Sequence, residues 1–219
     1  MKYIGKMFKI SKCIFYILII ICTIKCTIHD YSTSLNLPVN EFVKGYKKIN
    51  LSYEILPGAD PRPSHTNGGS ITATFGFIGN NGIDSKIWAS ENNFGISTNL
   101  YFSKIISDNF RFYSCPRIGF TTDVFGNGLA LGYSGIFQKT FNNNSFYSGI
   151  GLGFGKELSD PIVGNIILLN IGFSKRIKNL YLNIEFNPSL QKWLGNTRNK
   201  TNYFGVANSS FSIGYAFYN

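Results

Sequence analysis

The sequence is short of charge, almost devoid of histidine and unable to build a disulfide framework. Charged residues make up 15 % of the 219 positions, against roughly 25 % in soluble domains, so a surface wetted on every side is hard to assemble from this chain. Of the four cysteines, Cys13, Cys22 and Cys26 crowd into the first segment, and Cys115 stands alone. One cysteine cannot close an internal disulfide, and Cys115 is read as an inert small side chain. The only histidines are His29 and His65. No metal-ligand spacing, phosphate loop or dinucleotide fingerprint occurs, so no metal and no cofactor are expected.

What the chain does have is aromatics, at 16 %, and 23 glycines. It opens on Lys2, Lys6, Lys9 and Lys12 followed by an apolar run from Cys13 to Ile24, the layout of a secretory signal peptide. The run is too short for the ~20 residues that carry a helix across a bilayer. The leader is placed at 1–34. No small-x-small pair follows the run directly, and Ser32-x-Ser34 lies further downstream. Cys22 follows Ile20 and Ile21 rather than a lipobox, which argues against a lipoprotein. The formal charge of +10 falls to +6 once the five basic residues and one acidic residue before Leu35 are set aside. The remaining basic residues are scattered, so nucleic acid is not an expected partner.

Residues 35–69 read as a polar lead-in that ends in the turn-forming stretch PGADPRPSHTNGG. Within it, Ile49, Leu51, Tyr53 and Ile55 alternate with polar residues, the pattern of a strand. From Ser70 to the end the period stays close to two, and eight strands are expected, joined at 80–93, 103–109, 121–128, 139–144, 156–165, 175–179 and 187–207. A ninth strand at 48–56 would make the count odd, so that segment is expected to lie outside the sheet.

The two faces of these strands are unlike. One face gathers 37 positions with no charged residue among them, including Ile150, Leu152, Ile167, Leu169, Phe211, Ile213, Tyr215 and Phe217. The other carries Gly95, Gly119, Gly132, Gly151, Gly172 and Gly214 with Thr72, Ser97, Asn99, Asn170, Ser210 and Ser212. Its bulky members are Tyr101, Tyr113, Ile136, Tyr147, Leu168 and Tyr181, and its only expected charges are Arg111, Arg117 and Glu185. An eight-stranded barrel has an interior just wide enough to be filled by side chains. The small face fits there, and the large apolar face must then look outward into hydrocarbon, where a lysine or arginine near the midplane costs roughly 2–4 kcal/mol. The fold class is therefore all-β: an eight-stranded antiparallel up-and-down transmembrane β-barrel over 70–219, behind an N-terminal signal peptide.

In this pattern the chain resembles the small eight-stranded outer-membrane barrels, the group of the OmpA transmembrane domain, OmpX and the opacity-type surface antigens. Ser212-x-Gly214-x-x-Phe217 is similar to the C-terminal signal that the barrel assembly machinery reads, although Asn219 stands where that family usually ends on an aromatic. The resemblance implies an outer-membrane location in a Gram-negative cell, with lipid and lipopolysaccharide as surroundings and the assembly machinery as a partner.

Arg111, Arg117, Glu185 and Asn183 are expected to form a polar network in the lumen, since buried charges need partners. A narrow pore is the alternative use of the same charges. Some small barrels act on lipid A or phospholipid, which requires a histidine beside a serine and an acidic or amide partner. His65 is expected on the periplasmic side, so the chain is read as no enzyme. The remaining function lies in four external loops. In 187–207, Lys192, Trp193, Arg198, Lys200 and Tyr203 make an aromatic and basic mixture suited to lipopolysaccharide phosphates or to a host or matrix surface. The expected role is structural or surface interaction, as an adhesin or surface antigen.

Overall fold

The computed structural model describes residues 35, 37, 42–57, 65–77, 80–90, 93–123, 127–157, 163–194 and 202–217. The expected leader at 1–34, with His29, lies outside them. The described residues form ten strands: β1 (Lys47–Pro57), β2 (His65–Gly76), β3 (Gly82–Ser90), β4 (Asn93–Ser107), β5 (Phe110–Asp123), β6 (Asn127–Phe141), β7 (Asn144–Glu157), β8 (Val163–Ile177), β9 (Leu180–Leu194) and β10 (Asn202–Phe217). Every strand pairs antiparallel with its sequence neighbours, and β1 pairs with β10 to close the barrel. In that seam Ile49 lies opposite Tyr215, Leu51 opposite Ile213 and Ser52 opposite Ser212. No sheet edge is left to meet lipid with unpaired backbone groups.

Ten strands replace the expected eight. The segment 48–56 is a wall strand and not an outside lead-in, and the expected 80–93 loop contains β3. The barrel thus begins at Lys47 rather than Ser70. The two additions keep the count even, and both Lys47 and Phe217 stand at the same end. At that end the connections are 77–81 and the two-residue turns 108–109, 142–143 and 178–179. Asn142 and Lys178 take left-handed φ values of 53° and 55°, a conformation that asparagine tolerates better than most residues. Each of these turns is tied to the next hairpin: Thr140 N–H donates to Asn109 O (2.8 Å), Arg176 N–H to Asn143 O (2.7 Å) and Ala216 N–H to Asn179 O (2.8 Å). The opposite end carries 58–64, 91–92, 124–126, 158–162 and 195–201, five connections instead of the four expected. The expected long loop 187–207 shrinks to 195–201, because β9 and β10 extend into it.

The exterior is an apolar band. Ile150 is 62 % exposed and Leu152 47 %, while Gly151 between them is buried. Ile49, Leu51, Ile71, Ile87, Ile96, Ile118, Ile167, Leu169, Ile184 and Ile213 also face out. So large a continuous apolar surface does not occur on monomers in water and is the exterior that a bilayer requires. β1 and β3 obey the same alternation, with Lys48, Asn50, Ser52 and Glu54, and Asp84, Lys86 and Trp88, all buried on the inner side.

Candidate functional site: a lumen filled by the N-terminal segment

Barrel diameter grows with strand number, so ten strands enclose more room than eight, and the structure fills that room from the chain itself. Leu35, Leu37, Phe42 and Tyr46 are buried inside the barrel in one cluster with Tyr101, Tyr113, Cys115, Ile136, Tyr147, Tyr181 and Ala216. A tight turn at 43–46 brings the chain back on itself: Tyr46 N–H donates to Val43 O at 3.0 Å, and Gly45 supplies φ = 86°, a value that costs glycine little. Tyr46 O then accepts from Gly76 N–H at 2.8 Å, which locks the turn to the wall.

Glycines make the seat. A Cβ on Gly76 would lie 2.2 Å from Val43 O, and one on Gly82 would lie 2.4 Å from the Phe42 ring. The Phe42 ring stacks on Tyr101 with centroids 5.1 Å apart and meets Tyr113 edge-on at 6.0 Å. Such geometry adds about 0.5–1.5 kcal/mol per pair to simple burial. Deeper in, the segment is held by polar contacts. Leu35 N–H donates to Glu185 Oε2 at 2.7 Å, Leu35 O accepts from Tyr101 Oη at 2.6 Å and Leu37 O accepts from Ser174 Oγ at 3.2 Å.

The rest of the lumen is a charged and hydrogen-bonded lining. Lys86 Nζ lies 3.2 Å from Glu54 Oε1 with both side chains fully buried, and Ser70 Oγ donates to the same carboxylate. Asp84 accepts from Asn99 Nδ2 at 2.7 Å, and its other oxygen competes with Leu35 O for the single proton of the Tyr101 hydroxyl. Lys48 Nζ sits 5.2 Å from the centre of the Tyr181 ring, a cation–π distance. These four charges, two on β1 (Lys48, Glu54) and two on β3 (Asp84, Lys86), add to the three expected, since neither strand belongs to the eight expected in the wall.

Of the residues singled out in the sequence, Arg111 and Arg117 stand on β5, and Asn183 and Glu185 on β9, four strands away around the wall. All four are buried. Arg111 Nη1 donates to Thr140 Oγ1 (3.3 Å), Arg117 Nη2 to Ser134 Oγ (3.5 Å), Asn183 Nδ2 to Ser212 Oγ (2.8 Å) and Asn187 Nδ2 to Glu185 (3.4 Å). Cys115 is a buried free thiol. In the terminal triplet Ser212 and Gly214 face the lumen, and Phe217 faces out beside Tyr215 with ring centroids 4.9 Å apart. The expected loop residues Lys192 and Trp193 belong to β9 and Tyr203 to β10, with Tyr203 opposite Lys192. Arg198 and Lys200 lie outside the described residues. His65 opens β2 opposite Pro57, at the end away from Lys47 and Phe217. It therefore does not share a side with the termini, as the eight-strand reading required.

No protein-family model matches the chain and no curated protein does. Among solved structures it is similar to the KdgM porin (12 % identity, TM-score 0.38, covering 78 % of this chain and 99 % of that one). It is also similar to the β domain of the Bordetella autotransporter BrkA (10 %, 0.41, 80 % and 98 %) and to Ail, the attachment invasion locus protein of Yersinia pestis (12 %, 0.26, 80 % and 100 %). With TM-scores under 0.5 none of these likenesses carries an argument, and the reading below rests on the barrel's own geometry. The ten strands also set the chain apart from the eight-stranded group that its sequence resembles.

Proposed function

We propose that this chain is an integral outer-membrane β-barrel whose lumen is stoppered by its own N-terminal segment, and that it works through its outward end rather than through a conduit or a reaction. The carrying observation is the pairing of a hydrocarbon-type exterior with a filled interior. Phe42, Tyr46, Tyr101, Tyr113, Tyr147 and Tyr181 occupy the lumen where a diffusion pore would keep water. Charged rings set selectivity only where ions can pass them, and here Lys86 and Glu54 neutralise each other across a buried contact. The polar lining is thus a structural network.

Outer-membrane barrels keep short turns on the periplasmic side and longer connections outside, so the end with both termini is assigned to the periplasm. The strand ends that bear Lys192, Trp193 and Tyr203 then stand on the outer side. Their aromatic and basic composition supports contact with lipopolysaccharide phosphates or with a host or matrix surface. No catalytic step is assigned to the chain.

The membrane reading is tested by carbonate or urea extraction and by gel migration of boiled and unboiled samples. The protein should stay with the membrane and should run at two positions. Release into the soluble fraction would refute it. The interaction role is tested in whole cells by replacing Lys192, Trp193 and Tyr203 with alanine together with 195–201 by a two-residue turn: adhesion to host cells or matrix should fall with surface display unchanged, and undiminished adhesion would refute it.

A further inference from the structure

Exposed positive charge is gathered at one end of the barrel. Lys47, Lys104, Lys139 and Lys175 stand on the outward-facing rows of β1, β4, β6 and β8, close to the end with the short turns, and all four are exposed. Lys44 and Lys178 join them from turns, and Arg176 from the last residues of β8. Among the described residues of this rim, Asp108 in the turn after β4 is the one exposed acidic side chain set against them. At the opposite strand ends Asp123 and Glu157 balance Lys156 and Lys192, so the excess is not a general property of strand ends. The neighbours of the lysines fix what they can touch. Lys47 lies opposite Phe75 and Phe217, Lys104 opposite Phe112, and Lys139 opposite Phe110 and Phe146. A four-carbon stem beside phenylalanine rings can stay in hydrocarbon while its ammonium reaches the interface. A soluble acidic partner would need charges that point away from the membrane, whereas these four stand in the rows that meet lipid.

We infer that this rim is a binding surface for anionic phospholipid headgroups, of the phosphatidylglycerol type, in the leaflet that surrounds the short-turn end. The inference rests on the membrane-barrel reading above and on the assignment of that end to the periplasm. Its densest part is the β8–β9 hairpin, where Lys175, Arg176 and Lys178 fall close together and Arg176 Nε donates to Lys178 O at 2.8 Å, which ties the strand end to the turn. Lys139 stands on β6, two strands away, roughly 10 Å across at the usual strand spacing. Two extended lysine side chains can close that distance around one phosphodiester. The 142–143 turn between them is pinned by Arg176 N–H on Asn143 O (2.7 Å), and its exposed asparagines supply further amide donors. Anionic headgroups attract clustered lysines and arginines at close range, and salt screens that attraction. A lysine on the lipid-facing row is tolerated only near the interface, so the same residues also set the depth at which the barrel sits.

The test reconstitutes the purified full-length protein in phosphatidylcholine vesicles. Electron paramagnetic resonance then compares the motionally restricted fractions of spin-labelled phosphatidylglycerol and phosphatidylcholine. The anionic label should associate about threefold more strongly than the neutral one, and about 1 M NaCl should bring the two close to equality. Equal association at low salt, or a preference that salt leaves untouched, overturns the inference. Lys139→Gln, Lys175→Gln and Lys178→Gln together should remove most of the preference with both gel positions retained, and Lys156→Gln at the other end should leave it unchanged. A preference that survives the triple substitution, or falls as far with Lys156→Gln, overturns the assignment to this rim. Should the triple variant not fold, the salt dependence of the wild type still decides. For the leaflet, Asn143→Cys should react with a membrane-impermeant maleimide only after the outer membrane is permeabilised, with wild type, whose Cys115 is buried, as the blank. Reaction in intact cells would turn the rim to the outer leaflet and refute the periplasmic assignment. Loss of the two gel positions would sink the membrane-barrel reading itself, whereas two positions with no lipid preference would sink only this inference.

Discussion

Replacing Phe42 by alanine should uncork the barrel without dismantling it. Phe42 has no exposed surface, stacks on Tyr101 at 5.1 Å, meets Tyr46 and Tyr113 edge-on at 6.1 and 6.0 Å, and rests on Gly82. Truncating a buried phenylalanine costs about 3–5 kcal/mol through lost transfer energy and the cavity left behind. None of the ten wall strands contains Phe42, so nearly all of that loss falls on the docked state of the segment. At 1.4 kcal/mol per factor of ten, the population with the segment released should rise by about two to three and a half orders of magnitude. Planar-bilayer recording reads this directly as open probability. The control is Phe186→Ala, a truncation of the same chemistry on the lipid face, where Phe186 is 47 % exposed; it should leave the barrel closed. If Phe42→Ala migrates as a folded barrel, unfolds at the wild-type urea concentration and conducts no more often than wild type, the segment is not the stopper.

Gly76→Val should reproduce the open phenotype from the wall side, because its Cβ would lie 2.2 Å from the backbone carbonyl of Val43 and 2.9 Å from Tyr46 Cβ, and a backbone atom cannot step aside as a side-chain tip can; bilayer recording with a gel-shift control checks it. Lys86→Met should lower stability by about 3–5 kcal/mol, the usual cost of leaving one member of a buried pair uncompensated. Lys86→Met with Glu54→Leu should recover most of it, as urea unfolding in lipid vesicles would show. Ile150→Lys, in the middle of β7 on the lipid face, should cost roughly 2–4 kcal/mol in the same assay. Equal stability of the Ile150→Lys protein in lipid would place that face elsewhere.

The orientation of the strands was legible in the sequence and their number was not, for connected reasons. Lipid demands an uninterrupted apolar row, so Ile150, Leu152, Ile167 and Leu169 sort outward against Gly151 and Asn170 by size and polarity, Leu168 following only from the period of two between them, and the structure places each accordingly. β3 escapes the same test. Its outer row, Ile83, Ser85, Ile87 and Ala89, is broken by a hydroxyl and ends on a small residue, with Ser85 Oγ within 3.3 Å of Thr98 Oγ1 on β4, and its inner row brings Asp84 and Lys86. A strand that puts two charges inside and a hydroxyl outside looks like a loop until its neighbours are known. That omission then removed β1. The alternation of Ile49, Leu51, Tyr53 and Ile55 is plain, but an up-and-down barrel with both ends on one side needs an even count, and with β3 missing the count could be even only by rejecting β1. One unrecognised strand thus hides two, and with both missing His65 falls at the wrong end of the barrel. The stopper was hidden one step further on. Leu35, Leu37, Phe42 and Tyr46 show no period, and nothing in their spacing says that they are buried. Their place follows only from the diameter, since the interior of an eight-stranded barrel is filled by its own side chains and ten strands leave room for a segment. In a closed barrel the strand count is thus the quantity on which the interior depends, and the charges of β3 are the residues from which it has to be recovered.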